Sequence, residues 1–512
     1  MITLHGPATS HIDRLDPRYS TLIAASARLA KKDPTLWGKD AEKLAATRLN
    51  WVDLPRTSRT LLPELDALAA KFRNFSRVVL CGMGGSSLGP EVIAASYKKN
   101  LFVLDSTDPQ HVAQAIAGDL STTVVIVSSK SGSTIETSSQ RSLFEESFLT
   151  AGLNPIDHMV IVTDPHSPLD QDARARGFIV VNADPDVGGR FSALSAFGLV
   201  PAALIGVDVS VLLDSADDAI ESFHRAHSTA ADVAYLISFF TEQYIALNDA
   251  DSPLPGLGDW IEQLIAESTG KDGIGRLPIV IESSTAPVSG TCLSISFSQG
   301  GDLVVQGPLG AQFIFWEWVT ALVGVALHID PFNQPNVTTA KEQTATLLSQ
   351  WDSQLPQLVP TSSDGSIDIY SQGKTVTDTL KALIDSVAPD GYIAIMAYCD
   401  RFSDRELAQL RSILAQKSGR PVTFGWGPRF LHSTGQFHKG GQTNGVFLQI
   451  TADAHHDLAI PGESFSFHTL LMAQALGDAL TLNQKSLQVS RLHMRNREIG
   501  VSEILLAARE IV

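Results

Sequence analysis

A β-branched run that feeds into a hydroxyl-rich loop constrains this chain more than any other stretch. Thr123-Val124-Val125-Ile126-Val127 shows no polar alternation. It reads as a strand buried on both faces, as in a parallel sheet covered by helices. Ser128-Ser129-Lys130-Ser131-Gly132-Ser133-Thr134-Ile135-Glu136-Thr137 follows, and then Leu143, Phe144 and Phe148 at helical spacing from Ile135. A strand-to-helix turn aims free backbone N–H groups and the positive end of the helix dipole at one point. Hydroxyls beside those donors can bond phosphate oxygens, and Gly132 lets the backbone approach closely. Ordinary N-capping draws on the same residue types, but a cap uses one hydroxyl and this stretch carries six. It is read as a cradle for a monophosphate.

The surrounding pattern is α/β. Val78–Cys81, Leu101–Leu104, Thr123–Val127, Met159–Val162 and Phe178–Val181 read as strands alternating with helices. They predict a doubly wound parallel sheet with its ligand crevice beyond the strand C-termini. Residues 1–65 read as a polar helical arm anchored by Trp37, Trp51 and Leu54, without chemistry of its own. A helical region, Val209–Ala246, leads to a second α/β unit with strands Leu277–Ile281 and Leu293–Phe297 and a long apolar helix Leu309–Leu327. Pro356–Gly373 reads as a loop-like linker. Beyond it, Tyr392–Met396, Val422–Phe424 and Val446–Ile450 read as strands, with a helix over Asp404–Gln416. The expected organisation is an arm (1–65), two α/β units (66–205 and 206–354) and an additional C-terminal α/β unit (355–512).

Composition excludes several functions. A net charge of −17 argues against nucleic acid, which needs a basic surface. An acidic protein must hold a small phosphate locally, with dipoles and a few cations. The longest apolar run, Trp318–Leu327, falls short of the roughly 20 residues that span a bilayer, and Met1–Ser20 does not read as a signal peptide. Cys81, Cys292 and Cys399 follow no metal-ligand spacing, so no metal is expected and a reducing cytoplasm is the expected location.

Four further blocks carry candidate chemistry. Gly82-Met83-Gly84-Gly85-Ser86-Ser87 follows a strand, but Ser87 stands where a dinucleotide fingerprint needs its third glycine. Arg190, after Gly188-Gly189, places a permanent cation at a helix start, against the dipole; it reads equally as an anion ligand or as a paired surface arginine. Gln263 and Glu267 share a helix face at i, i+4, Glu267 lying in the last turn before Gly270; a solvated helix end is the plain alternative. Gly427–Gly441 gathers His432, His438, Lys439 and four glycines, which reads as a site or as a flexible surface loop.

Gly82–Pro90, Ser129–Thr137, Gly188–Leu199, Glu267–Lys271 and Phe332–Lys341 together resemble, in order, the motifs of the phosphoglucose isomerase family. The stretch around Gly427–Gly441 resembles the isomerase half of transaldolase–phosphoglucose isomerase fusions. A transaldolase barrel, which takes about 250 residues, has no contiguous room here.

The resemblance implies two doubly wound parallel-sheet sugar-isomerase domains and cofactor-free interconversion of glucose 6-phosphate and fructose 6-phosphate. By matching position it implies that Ser129, Lys130, Ser131 and Thr134 hold the phosphate, while Gly84, Gly85 and Ser86 line the sugar and Gln263 positions it. Glu267 is then the base at C2–H, Arg190 steadies the enediolate and Lys341 lies near the ring oxygen. The family's ring-opening histidine usually sits between the glutamate and the lysine. Here His438 is the expected equivalent, with His432 in reserve. In better-known members this histidine comes from the neighbouring subunit of a dimer. Its position after Lys341 predicts that it acts within one chain, monomer or homodimer. The alternatives are an isomerase of mannose or amino-sugar phosphates and a non-catalytic sugar-phosphate sensor.

Overall fold

The structure is a computed structural model that describes residues 1–511 except 226, 241, 242, 284, 289–291 and 352–354. A short strand, β1 (Thr3–His5), precedes a set of helices that runs to Phe72. The first sheet then forms from β2 (Arg77–Gly82), β3 (Phe102–Leu104), β4 (Thr123–Ser128), β5 (Met159–Thr163) and β6 (Ile179–Asn182), in the order β3-β2-β4-β5-β6, all parallel. Side chains that alternate along the strands divide between two cores. Val78, Leu80, Val124 and Ile126 face one, while Val79, Cys81, Val125 and Val127 face the other. The chain leaves β2 and β4 toward opposite edges, so the crevice lies between their C-terminal ends. Gly82 and Ser128 are register partners there, and both expected ligand loops leave the sheet from this pair.

The second sheet holds β7 (Tyr244–Asn248), β8 (Leu277–Val280), β9 (Cys292–Ser296) and β10 (Leu303–Gln306), in the order β1-β10-β9-β7-β8. Two expectations change. The arm is not wholly helical, because β1 pairs antiparallel with β10 and covers that edge. The helical region expected over Val209–Ala246 stops at Phe240, and Tyr244–Asn248 is a parallel strand beside β8 and β9. A four-residue apolar run such as Tyr244–Leu247 has no period that separates strand from helix.

One apolar core, from Ile2 to Phe332, joins the arm and the first two sheets. Trp51 stacks on Phe191 at 5.2 Å and meets Trp318 edge-on at 5.9 Å. The Trp37 indole donates to the carbonyl of Ala321 at 3.0 Å. The helix Leu309–Leu327 runs through this core. It is long and apolar enough by composition to cross a membrane, and 89% of its apolar window is buried inside the protein.

The third sheet contains β11 (Ser362–Asp364), β12 (Ile367–Ile369), β13 (Tyr392–Tyr398), β14 (Val422–Trp426), β15 (Gly445–Ala452) and β16 (Val489–Met494), in the order β11-β12-β16-β15-β13-β14. The expected linker Pro356–Gly373 therefore contains an antiparallel pair, β11 and β12, turning at Gly365 with φ 54°. The helix expected over Asp404–Gln416 begins as a tight 3-10 turn at Arg405–Ala408 and runs Gln409–Ser418.

One face of this sheet, through Tyr392, Met396, Tyr398 and Phe447, shares a core with Ala266, Leu277 and Ile279 of the second sheet's unit. Buried ion pairs fix it to the first unit as well. Arg429 binds Glu91 at 2.6 Å and Asp105 at 2.7 Å, and Arg497 binds Asp108 at 2.6 Å.

Glu317, inside the Leu309–Leu327 helix, is fully buried, and neither carboxyl oxygen has a hydrogen-bond partner among the described residues. Burial pushes this carboxyl well above its ordinary 4.5. The folded protein therefore keeps a proton that the unfolded chain releases, and stability falls as pH rises from that unfolded value toward the folded one. Glu317→Gln keeps the shape and removes the titration. Its stability relative to the native chain should grow by up to about 1.4 kcal/mol per pH unit through this window. Urea midpoints from pH 4.5 to 8 measure the difference, and a pH-independent difference would refute the assignment.

Candidate active site

The cleft is built where backbone meets backbone. Gly84, with φ 55°, opens the turn after β2. A Cβ there would lie 2.8 Å from Gln263 Nε2 and 3.1 Å from the His432 Cβ. At Gly85 a Cβ would fall 2.0 Å from the carbonyl oxygen of Gly189. Only glycine permits this approach, which sets the β2 loop against the loop carrying Arg190. The open cleft measures about 390 Å³ and draws its lining from the loops and helices of all three sheet-bearing units.

The expected phosphate and sugar residues meet here. Gly84, Gly85 and Ser86 line one wall and Ser129, Lys130, Ser131 and Thr134 another. Ser129 Oγ accepts from the Gly132 amide at 3.1 Å and donates to Thr134 Oγ1 at 3.2 Å, while Ser131 and Ser133 hydroxyls lie 2.9 Å apart. Lys130 turns to the rim, with its ammonium 2.5 Å from Asp164 and 3.1 Å from the Pro185 carbonyl. Burial raises the Asp164 carboxyl above its ordinary range despite Lys130. Among the lining residues, Ser128 Oγ, Asp164 Oδ1 and Gln263 Oε1 are buried with no partner among the described residues. Groups of that kind suit a polyhydroxylated ligand.

Glu267 stands opposite the cradle, at the end of the helix Leu257–Thr269 and 5% exposed. Arg190 Nη1 lies 2.9 Å from Glu267 Oε1. Nη1 also donates to Gln334 Oε1 at 2.8 Å, Nε to Ser268 Oγ at 2.8 Å, and Nη2 to the carbonyls of Pro331 at 2.7 Å and Asn333 at 3.1 Å. Gln263, on the same helix face, donates to Glu267 Oε2 at 3.1 Å and to the His432 carbonyl at 2.8 Å. Lys341, from the helix Pro335–Gln350, lines the mouth.

The expectation for His438 is corrected by its position. It does not line the cleft. The short helix Gly435–Gly440 turns it into the core, 4% exposed, where its Nδ1 lies 2.9 Å from the Tyr392 hydroxyl and its ring stacks on Tyr392. Burial pushes its imidazole down to about 3. The reserve, His432, lines the cleft instead.

His432 Nε2 lies 3.0 Å from Glu136 Oε1, which also accepts from Gln474 at 2.8 Å. Burial opposes the Glu136 charge, yet the adjacent His432 holds its carboxyl below the ordinary range. Glu136, Gln334 and Arg48 were not anticipated as site residues. Glu136 and Gln334 had a readable signal, since each lies inside a block that carries the family resemblance; Arg48 had none. Among the described residues, no His, Cys, Asp and Glu cluster is placed to hold a metal ion.

Residues 66–290 match the family model for phosphoglucose isomerase. A probable glucose-6-phosphate isomerase of Natronomonas pharaonis is 36% identical over 208 residues, covering 39% of this chain and 49% of the relative. A glucose-6-phosphate isomerase of Carboxydothermus hydrogenoformans is 30% identical over 301 residues, covering 54% of this chain and 64% of the relative. The chain thus spans about half the length of the first curated relatives it matches. A solved glucose-6-phosphate isomerase from Chlamydia trachomatis aligns with a TM-score of 0.55 at 20% identity, covering 69% of this chain and 89% of that one, and shares the mixed α/β fold. The segment that matches this family model carries the cradle, Arg190 and Glu267.

Proposed function

We propose that this chain interconverts glucose 6-phosphate and fructose 6-phosphate through an enediolate, the substrate being a small sugar phosphate bound without a cofactor. The observation that carries the proposal is the buried Arg190–Glu267 pair at 2.9 Å, in one cleft with a hydroxyl cradle. Glu267 takes the proton from C2 of the open-chain aldose and returns it to C1. Arg190, held by four other acceptors, is preorganised for the charge that develops on the enediolate oxygens. Ser129, Lys130, Ser131 and Thr134 hold the phosphate; Gly84, Gly85, Ser86 and Gln263 border the sugar. His432, oriented by Glu136, and Lys341 beside the ring oxygen form the acid–base pair of ring opening: one proton is given to O5 as the C1–O5 bond breaks and one is taken from the O1 hydroxyl as the carbonyl forms. In this reading the first two sheets are the sugar-isomerase domains, and the third unit exists to deliver His432. The enzyme works in the cytoplasm in glycolysis and gluconeogenesis.

Glu267→Gln keeps the side-chain shape and cannot accept the proton. In a coupled assay from fructose 6-phosphate, kcat should fall at least about 100-fold with little change in KM. Near-normal turnover would remove Glu267 from the role.

In this reading one chain supplies every residue named, and activity does not depend on a partner subunit's histidine. Mixing Glu267→Gln with His432→Ala, with subunit exchange shown by tagged chains, should restore no activity. Recovery would mean that the histidine is supplied by a partner.

A further inference from the structure

The arm supplies a residue to the cleft from outside the matched segment. Arg48 lines the cavity on the side of Lys130 and Asp164, and residues 66–290 do not include it. Its place is set by its neighbours. Leu49 forms an antiparallel bridge with Val187. The Asn50 amide donates to the Asp186 carbonyl at 3.3 Å, and the Asn50 side chain donates to Asp184 at 2.9 Å. The strap 184–189 thus ties the arm both to Lys130, through the Pro185 carbonyl at 3.1 Å, and to Arg190, which follows it.

The charges around the cradle need such a residue. Of the cations lining the cleft, Lys130 is paired with Asp164 at 2.5 Å and Arg190 with Glu267 at 2.9 Å. Lys341 also borders the adjoining pocket that contains Glu136 and His432, at the ring-opening end. A phosphate dianion entering the cradle meets Lys130 already neutralised, with Asp164 beside it. Arg48 has no carboxylate within ion-pair distance among the described residues. Its Nη1 donates only to Thr47, at 2.6 Å to the carbonyl, while Nε and Nη2 have no partner among the described residues. A guanidinium fork with free donors suits two oxygens of a phosphate monoester.

We infer that Arg48 is a specificity-determining residue, the cation through which the N-terminal arm recognises the phosphate dianion of the substrate. The inference rests on the sugar-phosphate reading above. Arg48→Ala and Arg48→Lys are compared with the native chain for KM and kcat on fructose 6-phosphate, for the calorimetric Kd of inorganic phosphate, and for melting temperature. In Arg48→Ala, KM and the phosphate Kd should both rise about tenfold, as expected for loss of a charge-assisted contact. kcat should fall far less, the melting temperature should hold, and Arg48→Lys should recover part of the binding.

A phosphate Kd and KM within about twofold of native in Arg48→Ala would overturn the inference and leave the isomerase reading standing. An equal fall in melting temperature and binding in both variants would also overturn it, by making the role structural. If the native chain fails to turn over fructose 6-phosphate while the phosphate Kd still depends on Arg48, the isomerase reading falls and the phosphate role of Arg48 stands.

Discussion

A guanidinium buried to 5% exposure is tolerable only when its charge and its donors are met, and this requirement holds the cleft together. Arg190 leaves the first sheet's unit after Gly188-Gly189 and finds Glu267 and Ser268 on the second unit's helix, with Gln334 and the Pro331 carbonyl from the loop beyond Leu309–Leu327. Two pieces of chain, the end of the Glu267 helix and the loop 331–334, are registered to one planar group carried by a third. Removing either strands a buried donor, and removing Glu267 leaves an uncompensated charge. The Gly85–Gly189 contact explains how Arg190 reaches so far inward, because no side chain stands between the two loops.

The first sheet was legible in the sequence to within a residue or two because its strands are apolar runs, mostly rich in β-branched residues, between clear turns and amphipathic helices. The ligand loops were legible for the same reason, since strand C-termini at a reversal of strand order define the crevice whatever the detail. Short strands were not. Tyr244–Leu247 carries no period, and Ser362–Asp364 with Ile367–Ile369 is too polar and too short to stand out from a linker. These strands exist because neighbouring strands pair with them, which is tertiary information.

The histidine shows a different limit. His432 and His438 lie six residues apart in one glycine-rich loop, and motif likeness favours the one followed by Lys-Gly. A 3-10 turn at Arg429–His432 and a helix at Gly435–Gly440 separate their directions. One ring reaches Glu136 and the other packs on Tyr392 and Phe447. Nothing local in the sequence reports which ring the core will claim. Arg48 was invisible for a similar reason. It lies in a polar arm without a motif, and the Leu49–Val187 bridge and the Asn50 bonds to Asp184 and Asp186, all tertiary, carry it to the rim.

The short helix Gly435–Gly440 sits directly on the end of the helix that bears Glu267. The Gln436 amide donates to the Gly270 carbonyl at 2.9 Å, and Gly273 donates to the Gly440 carbonyl at 3.0 Å. A Cβ at Gly270 would lie 2.4 Å from the Phe437 Cα. Gln263, one turn before Glu267, is in turn bonded to the His432 carbonyl. The third sheet therefore cannot tilt against the second without carrying both ends of this joint. His432 and Glu267 are thereby coupled to each other through the joined ends of two units. A shift at this joint would reach His432 and Glu267 together, and the Arg190–Glu267 pair would pass it on to the unit that carries the cradle.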